Sequence, residues 1–362
     1  QELTGFDPTW PIKQAAHGVI REFAYSLLSK EQRIRYQNLA IDEFLSNGIC
    51  EIHEMAGPKI SSLEDARTFQ ELCSTRGIAK QLWWGEINGQ KNALSLDATG
   101  CGGDLFIDGS LGSKTAFLND QYSDGGHGVQ YISLDDATNN ILSNYRVGLP
   151  SSFHVIGDAA IDVATQAFSS AKKVLGNKEF SKLQNRLEHA EFLRAENMSK
   201  LTEMNVTFSM QPKFSSTWAG IGGMYESRIG EDWRKLNPFS DILKSGGRLL
   251  FGSDSPVTDI NPWSTINAAM NMHNERFSIT QKAAFRSSTK NFGQLNVGDV
   301  ANLAIWDAEH WSESHPSDER HRWSSDARSF PTEFPDSSRP PKCLMTIVDG
   351  NILYNAVGIT ND

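Results

Sequence analysis

SSFHVIGDAAIDVATQAFSSAKKVL, Ser151–Leu175, decides the fold class. SSFHVIG is an apolar run of strand length, and the segment after Gly157 is long, polar in part and compatible with a helix. The same alternation recurs on both sides. Upstream stand GICEIHEM (Gly48–Met55), IAKQLWW (Ile78–Trp84) and GDLFIDG (Gly103–Gly109). Downstream stand NRLEHAEF (Asn185–Phe192), NVTFSMQ (Asn205–Gln211) and GRLLFGSD (Gly247–Asp254). Strands separated by helices over about 200 residues predict an α/β fold with a parallel sheet, open or closed into a barrel. Seven strands are expected rather than the eight of a complete barrel.

Near Asn291 the texture changes. Residues 1–290 read as the α/β body and 291–362 as a small β unit with an exposed loop over 308–341, rich in Ser, Pro, Asp, Arg and His. Near the end, CLMTIVDGNILYN (Cys343–Asn355) predicts a hairpin turning at Asp349-Gly350.

The 362 residues carry 34 Lys and Arg against 44 Asp and Glu, a net charge of −10. That balance argues against nucleic acid as a partner, since phosphate binding needs clustered cations. With 39% hydrophobic and 22% charged residues, a packed core is expected. No apolar run approaches the ~18 residues of a membrane span, and the first residues, QELTGFDPTW, do not read as a signal peptide. Cys50, Cys73, Cys101 and Cys343 contain no C-x-x-C pair, so reduced thiols in a cytoplasmic protein are expected.

Metal-binding residue types recur at strand ends: His154 in SSFHVIGD, His189 in RLEHAEF, Asp254 in FGSDSP. In a parallel barrel these ends form one face, where two imidazoles and a carboxylate can converge on zinc or a similar divalent ion. Taken singly, each has a blander reading: a strand His is often a satisfied core residue, and Asp before Ser-Pro is often a turn or helix cap. Spacing leaves both readings open.

The chain resembles the amidohydrolase superfamily, and within it the YtcJ-like group that includes N-substituted formamide deformylases. DGSLGSKTA (Asp108–Ala116), HVIGDAAID (His154–Asp162), RLEHAEF (Arg186–Phe192), SMQP (Ser209–Pro212), GSDSPV (Gly252–Val257) and GQLNVGDVANLAIWD (Gly293–Asp307) carry the resemblance, in order along nearly the whole chain. It implies a TIM-like (β/α)8 barrel of the metal-dependent hydrolase type, its first strand missing here, with part of a small β-sandwich. It implies one or two divalent ions (zinc, with iron or manganese as alternatives), His154 and His189 as ligands, and Asp254 as ligand and proton shuttle. Asp108, Ser110, Lys114 and Gln211 become candidate substrate contacts, and Glu188 and Glu191 candidate supports for His189. The expected reaction is hydrolysis of amide or related C–N bonds in a small molecule, by a protein that is a candidate homo-oligomer. Trp83, Trp84, Trp218 and Trp263 are candidate walls of an apolar pocket.

Two departures stand against the pattern. None of the nine histidines forms the His-x-His pair of the family's first strand, which is expected upstream of Gln1. Asp104 stands where many relatives carry a lysine that bridges two metals, and is a candidate ligand in its place. A catalytically impaired relative, a binding protein or an inactive fragment is therefore the competing expectation, and a metal-free enzyme on the same fold a third.

Overall fold

The structure, a computed structural model, describes residues 12–293, 296–308, 311–312, 334–335 and 340–358. Seven short parallel strands form the body: β1 (Glu51–Ala56), β2 (Ala79–Trp84), β3 (Gly100–Cys101), β4 (Ser152–Val155), β5 (Arg186–His189), β6 (Thr207–Met210) and β7 (Arg248–Phe251). They run as β1-β2-β3 and β4-β5-β6-β7. Parallel bridges Cys101↔Ser151 and Phe106↔His154 join the two sets into one curved wall. Helices fill the connections, as in a TIM-like barrel. Among the described residues β1 and β7 each pair on one side only.

Alternation sets the two faces of this wall. Phe153, Val155, Leu187, Phe208, Met210 and Leu249 point outward into the main core. The helix Asp158–Leu175 covers them with Ala160, Ala164, Phe168 and Ala171, spaced three or four residues apart along one face. Asp158 in its first turn and Lys172 and Lys173 in its last match the helix dipole. The helices Lys30–Ser46 and Leu63–Arg76 begin with reciprocal capping boxes, Ser29 with Gln32 and Ser62 with Asp65.

The third strand departs from the expected span. Pairing stops at Cys101, and Gly103–Gly109 is not a regular strand. The cause is Gly102, at φ +140°, where a Cβ would lie 2.1 Å from the Ser152 carbonyl oxygen. Gly103, at φ +76°, completes the bend. The chain then rejoins the sheet beside His154, whose N–H donates to Leu105 and whose carbonyl accepts from Ile107. Asp104 is left at the bend. The fifth strand is also shorter than expected: His189, at φ +68°, is its last paired residue, and Ala190, at φ +46°, lies beyond it.

On the outer face of β1, Glu54 has nothing to offset its burial, which pushes its carboxyl up to about 7 from an ordinary 4.5. A carboxylate with a raised folded-state pKa withdraws stability as pH climbs through that value. Glu54→Gln is therefore expected to match the parent below pH 4.5 and to exceed it increasingly up to pH about 7, read by urea denaturation at both ends. A constant difference across that window would assign the effect to packing.

The second sheet is antiparallel. Its strands β8 (Leu303–Asp307), β11 (Lys342–Val348) and β12 (Asn351–Asn355) run in the order β12-β11-β8, while β9 (Trp311–Ser312) pairs with β10 (Phe334–Pro335). The expected hairpin is present: Asp349 and Gly350 both have positive φ, as a tight two-residue turn requires. Thr346 Oγ1 donates to the Leu45 carbonyl at 2.6 Å, tying this sheet to the helix Lys30–Ser46. Most of the loop expected over 308–341 lies outside the described residues. All four cysteines are free thiols, and no helix among the described residues is long and apolar enough to cross a membrane.

Candidate active site

Strands β4 and β5 carry the centre of the site. His154 occupies an inward position on β4, between outward Phe153 and Val155. Strict alternation would send His189 outward with Leu187. The left-handed backbone at His189 breaks that alternation and turns the ring inward, where its centroid lies 4.4 Å from that of His154. A non-glycine residue at positive φ is strained, and such strain concentrates at functional sites. The two rings are 6% and 4% exposed, and burial lowers both pKa values, that of His154 to about 4, so both imidazoles are neutral.

Each imidazole has one nitrogen accounted for differently. The Nδ1 of His189 lies 2.8 Å from Gln211 Oε1. The buried Nδ1 of His154 has no hydrogen-bond partner. The nearest acid, Asp108 Oδ1, is 3.7 Å away, beyond hydrogen-bond range. Aromatic rings flank the pair. Phe106 packs on His154 at 4.4 Å, and Phe214 stacks on His189 at 5.7 Å and packs at 4.7 Å against Trp218.

Carboxylates surround the pair. Asp104 is pushed up to about 7, first by burial and then by Asp254, with His189 opposing. Asp254, three residues past the end of β7 and itself at φ +52°, is pushed up to about 7 by burial and by Glu188. Glu188 goes the other way. Burial acts to raise it, but Arg186 and hydroxyls from Ser152 and Ser209 outweigh that and hold it low. The pair is intimate: Arg186 Nε lies 2.6 Å from Oε1, and Nη2 donates to Oε2 at 2.7 Å. Arg186 also donates to Ser209 Oγ and to His53 Nδ1 across the barrel, and lies 5.0 Å over the Trp83 ring. Glu191 accepts from Tyr225 Oη, and burial raises its carboxyl.

The expected substrate contacts fall in different places. Asp108 is 0% exposed and accepts from the backbone N–H groups of Phe117, Ile156 and Gly157 at 2.8–3.0 Å. It presents no oxygen to a cavity and instead pins the DGSLGSKTA loop to the end of β4. Ser110 is exposed and bonds Ser113, and Lys114 pairs with Asp124, both within that loop region. Gln211 is spent on His189. Of the four tryptophans, Trp84 and Trp263 are core residues, Trp83 supports Arg186, and Trp218 alone reaches the site, through Phe214. Arg186, Phe106 and Phe214 were not singled out from the sequence. Arg186 had one signal, its i, i+2 spacing from Glu188 on a single strand face.

The donor chemistry suits a divalent cation: neutral imidazoles, one with an orphaned nitrogen, beside carboxylates whose burial is poorly compensated. The expected three-way convergence is met only by the two histidines. Among the described residues no three His, Cys, Asp or Glu side chains are placed to hold one ion.

Comparison with known proteins bears on the same residues. The chain is 27% identical over 235 residues to "Protein LONG AFTER FAR-RED 3" of Arabidopsis thaliana, covering 58% of this chain and 38% of that protein. It is 27% identical over 173 residues to "Putative amidohydrolase YtcJ" of Bacillus subtilis (strain 168), covering 46% of this chain and 30% of that one. It thus spans less than two fifths of the length of either curated relative. An uncharacterized metal-dependent hydrolase from Pyrococcus furiosus shares the fold at a TM-score of 0.63 and 24% identity, over 79% of this chain and 60% of that one. The family model described as "Amidohydrolase family" matches residues 6–354, a span that takes in both histidines, the Asp254 strand end and all but the last residue of the antiparallel sheet, and the chain therefore belongs to the amidohydrolase family.

Proposed function

We propose that the protein bearing this chain hydrolyses amide or related C–N bonds of small molecules, with a divalent ion that His154 and His189 would hold together with Asp254. The imidazole pair carries the reading: two buried, neutral rings 4.4 Å apart, one with an unpartnered Nδ1, are poorly explained as packing alone. Such an ion, when bound, polarises a carbonyl and acidifies water. The protein's own part is to move protons and shape the site. Asp254 takes the proton of the attacking water on its carboxylate and returns it to the leaving nitrogen. Phe106 and Phe214 keep bulk water from the imidazoles. Zinc suits two nitrogens and an oxygen, iron and manganese are the alternatives, and Asp104 supplies a carboxylate for a second ion.

Purified protein is expected to contain about one divalent ion per chain or more and to hydrolyse at least one member of a panel of formamides, aryl amides and cyclic ureides. Chelation is expected to abolish that turnover and metal to restore it. Hydrolysis indifferent to chelation in ion-free protein would overturn the reading. A second reading, a binding protein without turnover, draws support from Asp104 at the position of the relatives' lysine and from the absence of a three-donor group among the described residues. A bound ligand with no hydrolysis across the panel would favour it.

A further inference from the structure

We infer that Gln211 is a positioning residue: its side-chain oxygen fixes the tautomer of His189 and leaves Nε2 bare for the ion. The inference rests on the metal-ion reading above. It replaces the expectation from sequence that Gln211 contacts substrate.

Gln211 follows Met210, the last residue of β6. Met210 points outward into the core and Ser209 inward, so Gln211 returns to the inward face beside the end of β5. There its Oε1 lies 2.8 Å from His189 Nδ1. An amide oxygen can only accept, so Nδ1 carries the proton and Nε2 carries the lone pair. Phe214, three residues on, stacks on the face of the same ring at an interplanar angle of 13°. One residue fixes the edge of the ring and the other its plane, while the backbone at His189 is held at positive φ. Gln211 is 6% exposed and has its oxygen committed.

The choice of an amide has a physical reason. Histidine ligands commonly donate their second N–H to a carboxylate or carbonyl. The Gln211 amide carbonyl, 2.8 Å from Nδ1, is such an acceptor.

The test uses the whole chain, metal-free and zinc-loaded. In metal-free parent labelled with 15N-histidine, NMR is expected to show His189 as the Nδ1–H tautomer. Zinc dissociation constants are then measured by competition with a chromophoric chelator. Gln211→Leu is expected to mix the tautomers and weaken zinc binding by roughly 10–100-fold. Gln211→Glu, which keeps the acceptor, is expected to retain the parent tautomer and to bind zinc within about threefold of the parent, a small fraction of the 10–100-fold loss expected on removing the acceptor. An Nε2–H tautomer in the parent overturns the inference, even where the leucine variant fails to fold. So does a leucine variant with parental tautomer and zinc affinity but a raised KM, which would mark Gln211 as a substrate contact. A parent with the Nδ1–H tautomer and no zinc affinity overturns the metal reading and, with it, the purpose assigned to Gln211. That result differs from one in which zinc binds and Gln211 is irrelevant to it.

Discussion

Asp254→Asn is expected to lower kcat/KM by roughly 10²–10⁴-fold while leaving the fold unchanged. Asparagine matches the carboxylate in shape and keeps one ligand oxygen, but it cannot accept a proton from water or return one to a leaving group. The backbone conformation makes this a clean substitution. Asp254 sits at φ +52°, a region that Asn enters as readily as Asp and that most other residues avoid. Alanine at this position would mix backbone strain with the chemical loss. Stability gives an independent check. Burial and the nearby Glu188 disfavour the charged form of Asp254, so removing its charge is expected to leave urea stability at pH 7.5 unchanged or raised. Full turnover in the asparagine variant would remove Asp254 from the mechanism. A loss of turnover accompanied by unfolding would instead show that its role is structural.

The parts legible in the sequence are those that depend on pattern. Six of the seven apolar runs became parallel strands, and Asp349-Gly350 led to a hairpin, because burial and turn chemistry are local properties. His154 and His189 could be placed side by side because they end neighbouring strands. What could not be read depended on backbone conformations that no residue type dictates. Gly102 at φ +140° stops β3 four residues short of Phe106–Ile107, although LFID looks like a strand. His189 at positive φ abandons alternation. Asp108 and Gln211 looked like substrate contacts because polar residues at strand ends usually face a cavity, but three backbone amides claim the first and an imidazole the second. Arg186 is the plainest case. An arginine opening a strand reads as solvated, and only the curved wall shows it inside, held by Glu188, Ser209 and His53.

That buried arginine sets the largest expected effect on stability. Arg186→Met keeps much of the aliphatic stem and removes the guanidinium. Glu188, 3% exposed, would keep the Ser152 and Ser209 hydroxyls and little else to balance its charge. Breaking a buried pair from one side typically costs about 3–5 kcal/mol, because the remaining ion is uncompensated. The rest of the network fails together with it. Ser209 and His53 lose their donor, and the Trp83 face loses its cation, so the link from β5 across the interior to β1 is cut. The double variant Arg186→Met with Glu188→Gln separates charge from packing. If the uncompensated carboxylate is the cause, the second substitution recovers most of the loss; if the Trp83 and His53 contacts dominate, it recovers little. Urea denaturation of the parent, both single variants and the double variant closes the cycle. A loss below about 1 kcal/mol for Arg186→Met would place this pair among ordinary surface bridges.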